Sequence, residues 1–204
     1  MIHTRALFVV FLSATCFSQQ WYLPAQYSGV TDIDSVKLSK IGAFGLVRKA
    51  RPGIPEHFHT GVDIRRPGSN YLREPVFPAR SGIIVSIVDN GPFSQIIVEH
   101  AFDNDTLWTV YEHVHVLKKE IDLQISPFDT IAWYFNRSEL NRYGWQFDHF
   151  HFEILKIRPP RCKAVADNPL RRYYTYALTC YTRKTLGERM EDPVVFLKGK
   201  LLAR

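Results

Sequence analysis

The run Asp148-His149-Phe150-His151-Phe152-Glu153 carries two histidines separated by one aromatic residue. In an extended strand residues two apart share a face, so both imidazoles project one way while Phe150 and Phe152 turn the other way into a core. Two imidazoles side by side can supply one half of a metal site. A half-buried strand that simply carries histidines has the same pattern, because a bare His-x-His is a weak signal.

A second stretch, His57-Phe58-His59-Thr60-Gly61-Val62-Asp63-Ile64, adds a histidine and a carboxylate four residues apart. Fully extended, His59 and Asp63 would stand roughly 13 Å apart, too far to share an ion. A helix would bring them together, but Thr, Gly and Val inside the segment oppose one. A bend at Gly61 is the expected solution, since glycine takes backbone angles that other residues avoid. A third stretch, Leu107 to Leu117, places Tyr111, His113 and His115 on one face at period two.

The elements that must position these groups are mostly strands. Short β-branched runs at Gly82 to Val88, Gln95 to His100 and Leu107 to Leu117 are separated by Asp89-Asn90-Gly91-Pro92 and Phe102-Asp103-Asn104-Asp105, the signature of an antiparallel meander. A fourth strand is expected around Thr130 to Phe135, and a long loop from Asn136 to Phe147 delivers the chain into His149. Arg158-Pro159-Pro160 ends the following strand. Residues 161–190 have no clear period and read as an insertion or flap, and Asp192-Pro193-Val194-Val195-Phe196-Leu197 closes the domain. Residues 19–41 read as an N-terminal extension laid over a domain spanning 42–204. The expected class is mainly β, a β-rich α+β fold.

Composition bounds the alternatives. With 204 residues, 46% of them hydrophobic, the chain can build one good core but not two independent ones. Residues 1–18 have the layout of a secretory signal peptide: Arg5, an apolar run from Ala6 to Leu12, then small or neutral residues up to Ser18. Cleavage after Ser18 is expected, with a lipoprotein anchor at Cys16 as the rival. The approach Ser13-Ala14-Thr15 suits lipidation poorly. Loss of Arg5 takes the formal charge from +6 to +5, a basic balance that favours anionic partners such as wall polymers or lipid headgroups, or serves solubility alone. Scattered Lys and Arg without a binding motif argue against nucleic acid. No other run reaches membrane-spanning length. Cys162 and Cys180 then form an even pair, either a disulfide or two free buried thiols.

Taken together, His59-x-x-x-Asp63, Tyr111-x-His113 and His149-x-His151-Phe152-Glu153 resemble, in order and approximate spacing, the lysostaphin-type zinc metallopeptidases of bacterial cell walls. Phe44-Gly45, His59-Thr60-Gly61-Val62-Asp63-Ile64, the meander, and Asp192-Pro193 with Phe196-Leu197 extend the resemblance over roughly residues 42–197, with 161–190 as an addition. It implies an antiparallel sheet in a barrel-sandwich core with a narrow active-site groove. It further implies zinc held by His59, Asp63 and His151 with a water in the fourth position, an open catalytic set, and His113 and His149 as the two non-ligand histidines that hold or move a proton and steady an oxyanion. The implied activity is a secreted or periplasmic endopeptidase acting on peptidoglycan peptide stems or cross-links through a zinc-activated water. The alternatives are a non-catalytic wall-binding or regulatory module and a zinc peptidase of extracellular protein.

Two departures from the family pattern touch the groove walls. Ile125 to Phe147 holds only Gly144 where several glycines are usual, and Asp148 stands where proline or a neutral residue is common. Glu153 fits either an orienter of a ligand or a structural carboxylate. His57 faces the groove or is incidental, His115 supports His113 or caps the strand, and His100 is structural or exposed at a turn. Tyr111 and Trp145 line the groove or pack the core.

Overall fold

The structure, a computed structural model, describes residues 20–102 and 105–203. The expected signal peptide, its cleavage point and Cys16 lie outside the described residues. A seven-stranded antiparallel sheet organises the chain. Its strands are β1 (Val62–Ile64), β2 (Gly82–Val88), β3 (Gln95–Phe102), β4 (Asp105–Glu112), β5 (Gln124–Ile125), β6 (Phe150–Leu155) and β7 (Met190–Glu191). The spatial order is β5-β2-β3-β4-β6-β7, and β1 pairs with β6 on the edge that β7 also uses. The sheet path stays open, so the core is built between packed layers and not inside a closed barrel.

The sequence of β2 and β3, Gly-Ile-Ile-Val-Ser-Ile-Val and Gln-Ile-Ile-Val-Glu-His-Ala-Phe, is of the near-continuous apolar kind that goes with burial on both faces. One face carries Ile84, Ile96, Val98, Tyr111, Phe150, Phe152 and Ile154. It is covered by Trp21, Leu23 and Ala25 and by a small sheet of Pro75–Val76, Ala132–Trp133 and His115–Val116. The stretch read as an N-terminal extension therefore supplies core side chains, and Trp21 is 1% exposed. The other face carries Ile97, Trp108, Val110 and Leu155, packed against Tyr173, Cys180, Leu186 and Met190. Residues 161–190 thus cover the face on which the odd-numbered residues of β6 emerge, His151 among them.

Among the described residues three α-helices complete the fold: α1 (Arg137–Tyr143), α2 (Arg183–Arg189) and α3 (Pro193–Leu197). α1 replaces much of the expected loop between Asn136 and Phe147. Asn136 and Glu139 form a reciprocal capping box, Asn136 Oδ1 accepting from Glu139 N at 2.9 Å and Glu139 Oε2 from Asn136 N at 2.9 Å. α2 lies within the 161–190 stretch and starts from Thr182, whose side chain accepts from Thr185 N. α3 starts at Pro193 after Asp192, whose carboxylate accepts from Val194 N and Val195 N.

Other expectations are corrected. The fourth strand shrinks to Ala132–Trp133. The third run stops at Glu112, and His115–Val116 joins the small sheet instead. Cys162 and Cys180 are not bonded to each other, so the disulfide reading falls. Among the described residues no helix is long and apolar enough to cross a membrane.

Candidate metal centre

The register of β6 assembles the site. His151 lies opposite Asp63 on β1 and opposite Glu112 on β4, so a histidine and a carboxylate far apart in sequence sit side by side on one sheet face. His59 arrives from the turn before β1. His59 Nε2, Asp63 Oδ1 and His151 Nδ1 stand 2.9 to 3.0 Å from one another, and all three residues are buried. Among the described residues they form a group able to hold a metal ion.

Gly61 makes this approach possible, though by a different route from the one its sequence suggests. Its φ is not in the left-handed region. A Cβ there would lie 2.2 Å from the carbonyl oxygen of Phe152, so only glycine lets the chain before β1 close against β6.

The outer nitrogens of both rings are held. His59 Nδ1 lies 2.9 Å from Ala43 O and donates to it. His151 Nε2 lies 3.0 Å from Glu153 Oε1. Both bonds leave lone pairs on the inward nitrogens, His59 Nε2 and His151 Nδ1, beside a carboxylate oxygen. Three acceptors in mutual contact need a cation between them, and two imidazoles with one carboxylate are a donor set suited to zinc. Without metal, the cation is a proton on His151. Burial opposes that charge, but the bonds to Asp63 and Glu153 outweigh it and raise the ring to about 10. Burial alone would raise the Asp63 carboxyl, yet hydrogen bonds from His151 and His59 hold it well below the usual carboxylate range. His59 is lowered, chiefly by burial.

His113 and His149 flank the group without joining it. His149 Nε2 lies 3.6 Å from Asp63 Oδ1, and the His113 and His149 rings meet edge to face at 5.4 Å between centroids. His113 Nδ1 donates to Pro92 O at 2.5 Å, which leaves its Nε2 as the acceptor. Burial lowers both rings, His149 to about 4.

The sequence pattern expected Tyr111 and His113 on one face, and here the structure differs. Tyr111 packs into the core against Phe150 and Phe152. His113 has φ 62°, a left-handed turn at the end of β4 that breaks the alternation and swings the ring to the other side, beside His149 and Phe147. Trp145 lines the cleft, half exposed. His57 also lines it, with Nδ1 on Pro55 O at 2.8 Å. His115 pairs with Glu139 at 2.7 Å, away from His113's neighbours. His100 is buried within β3, not exposed at a turn.

Several contributing residues were not singled out from sequence. Arg48 Nη2 and Ser39 Oγ donate to Asp63 Oδ2 at 3.0 and 3.3 Å, orienting the carboxylate from its other oxygen. Thr60 Oγ1 donates to Glu153 Oε1. Arg66 is buried, and its Nε donates to Asp148 Oδ1 at 2.5 Å. Asp148 is therefore the anchor that fixes the chain just before His149. The group opens into a cleft of about 1320 Å³ whose lining includes Arg48, His57, Asp63, His113, Trp145, His149 and His151.

No protein-family model matches the chain, and no curated protein does. Solved structures do resemble it distantly. Lysostaphin from Staphylococcus simulans is 16% identical over 85% of this chain and 55% of its own, with a TM-score of 0.46. A chain of the SpoIIQ-SpoIIIAH pore-forming complex is 16% identical over 83% of this chain and 96% of its own, at 0.44. A zinc-containing peptidase from Vibrio cholerae is 19% identical over 66% of this chain and 36% of its own, at 0.45. Likeness at this level leaves the functional reading to the site's own chemistry.

Proposed function

We propose that this protein is a zinc-dependent endopeptidase that hydrolyses peptide stems or cross-links of bacterial peptidoglycan outside the cytoplasm. The observation that carries the reading is the convergence of His59 Nε2, Asp63 Oδ1 and His151 Nδ1 within 3.0 Å of one another, beside two non-ligand histidines and open to a cleft. The order and spacing of the motifs, shared with lysostaphin-type enzymes, support the choice of substrate.

Zinc in this donor set would supply Lewis acidity, acidifying water and polarising a carbonyl. The chain's own groups handle the proton. Below their usual range through burial, His113 and His149 are neutral imidazoles near pH 7 and are free to accept it as a peptide bond is attacked. The ring that takes this single proton becomes an imidazolium, stabilises the developing oxyanion and returns the proton to the leaving amine, so one water is consumed for each bond cut. Arg48, Ser39, Ala43 and Glu153 hold the three ligand side chains in place.

The test is digestion of purified peptidoglycan by the zinc-loaded protein, with product analysis and a chelated control. New amino termini that vanish with chelator are expected. Intact peptidoglycan in the presence of bound zinc would sink the proposal.

A further inference from the structure

The cleft carries more positive charge than its own acids can use. Its lining holds six basic residues and three acids. The acids are engaged: Asp63 with Arg48, Asp148 with Arg65 and Arg66, and Glu112 with Gln95. Lys40, Lys49 and Arg51 are exposed and make no ion pair or side-chain hydrogen bond among the described residues. Arg171 enters the cleft from the covering segment and stacks its guanidinium 4.4 Å over the Tyr174 ring. Its Nε is buried without a hydrogen-bond partner among the described residues.

Large apolar side chains are exposed in the same cleft. Ile41 is 63% exposed, Phe93 56% and Trp145 45%. Apolar surface left open beside unmatched charge is the character of a ligand site and not of a solvated surface. The cations sit on the stretch from Lys40 to Arg51, continuous with Arg48 and hence with Asp63. An extended ligand crossing the proposed metal ligands would meet them.

We infer that the cleft selects peptides bearing free carboxylates near the scissile bond, and discriminates against the same peptides with those groups amidated. The inference rests on the hydrolytic reading for its location but makes a separate claim, because a neutral peptide would serve the metal and the histidines equally well. Fields of one sign in a cleft concentrate ligands of the other, and salt weakens the effect.

The experiment uses two synthetic stem-type peptides of one sequence, one with free side-chain and terminal carboxylates and one fully amidated, offered to the zinc-loaded full chain. The free-acid peptide should show a kcat/KM roughly tenfold higher at low salt, as expected for a few exposed charge pairs. That ratio should shrink at high salt and in the charge-reversed variant Lys49→Glu/Arg51→Glu, whose fold is checked by circular dichroism. Equal rates for the two peptides, or a ratio untouched by the reversal, would overturn the inference. If neither peptide is cut, the hydrolytic reading fails, and fluorescence anisotropy of labelled peptides still decides the question. Tighter binding of the acid form that the reversal abolishes supports the selection, and equal or absent binding overturns it.

Discussion

His151 Nε2 lies 3.0 Å from Glu153 Oε1, and that bond decides which nitrogen of the ring faces Asp63. Glu153 is wholly buried and its other oxygen has no hydrogen-bond partner among the described residues, an arrangement tolerable only if the charge does something for its neighbour. It fixes the His151 tautomer and raises the basicity of the inward nitrogen. Glu153→Gln preserves shape and removes the charge. Zinc affinity, measured by competition with a chromophoric chelator, should fall about 10- to 100-fold while the fold is retained. An unchanged affinity would reduce Glu153 to a packing role.

The histidines divide into two kinds by position. His151 contributes one of the three converging atoms, whereas His113 is turned toward His149 and Phe147. His151→Ala should lose stoichiometric zinc. His113→Ala should keep it and lose hydrolysis by about 100-fold or more, the scale of a missing acid–base group. Metal analysis and peptidoglycan digestion on the same preparations separate the outcomes, and zinc retained by His151→Ala would refute the ligand assignment.

How much of this was legible in the sequence depends on how local each cause is. The grouping of His59, Asp63 and His151 was anticipated only through the resemblance of the joined motifs to lysostaphin-type enzymes, because each motif alone is a weak signal, whereas the shared face of His149 and His151 follows from period two. The turn at His113 was not, because no local pattern announces a left-handed histidine at a strand end, and its reversal relative to Tyr111 appears only in three dimensions. Arg48 and Ser39 reach Asp63 across a fold that the sequence does not trace. Residues 19–41 carry no clear periodicity, so nothing marked Trp21 and Ile33 as core. α1 is the opposite case: Asn136-x-x-Glu139 is a local capping signal that the loop expectation for Asn136 to Phe147 passed over.

Gly61 offers a test of the register itself. Because its missing side chain is what lets the backbone of Phe152 approach, Gly61→Ala must push the chain before β1 off β6. His151 and Asp63 face each other through that pairing. A destabilisation of about 1–3 kcal/mol is expected from overpacking, seen as a lower urea midpoint, together with weaker zinc binding. Full stability and affinity in the variant would show that the contact relaxes at no consequence.

Acid sensitivity should have a source outside the candidate metal site. His100 is fully buried, its Nδ1 2.9 Å from Ser81 O and its Nε2 2.7 Å from Thr109 Oγ1. Burial, with Arg80 nearby, lowers it to about 4. An unfolded histidine titrates near 6.5, so between these values the unfolded chain binds the extra proton and stability rises with pH. The contribution is complete above about pH 6.5 and is lost as the pH falls toward 4, amounting to about 3 kcal/mol. His100→Gln keeps a polar group at Thr109 without a titrating ring. Urea midpoints of the two proteins, each held metal-free, should therefore converge as the pH falls from 7 to 4. Parallel pH curves would show that the acid loss arises elsewhere.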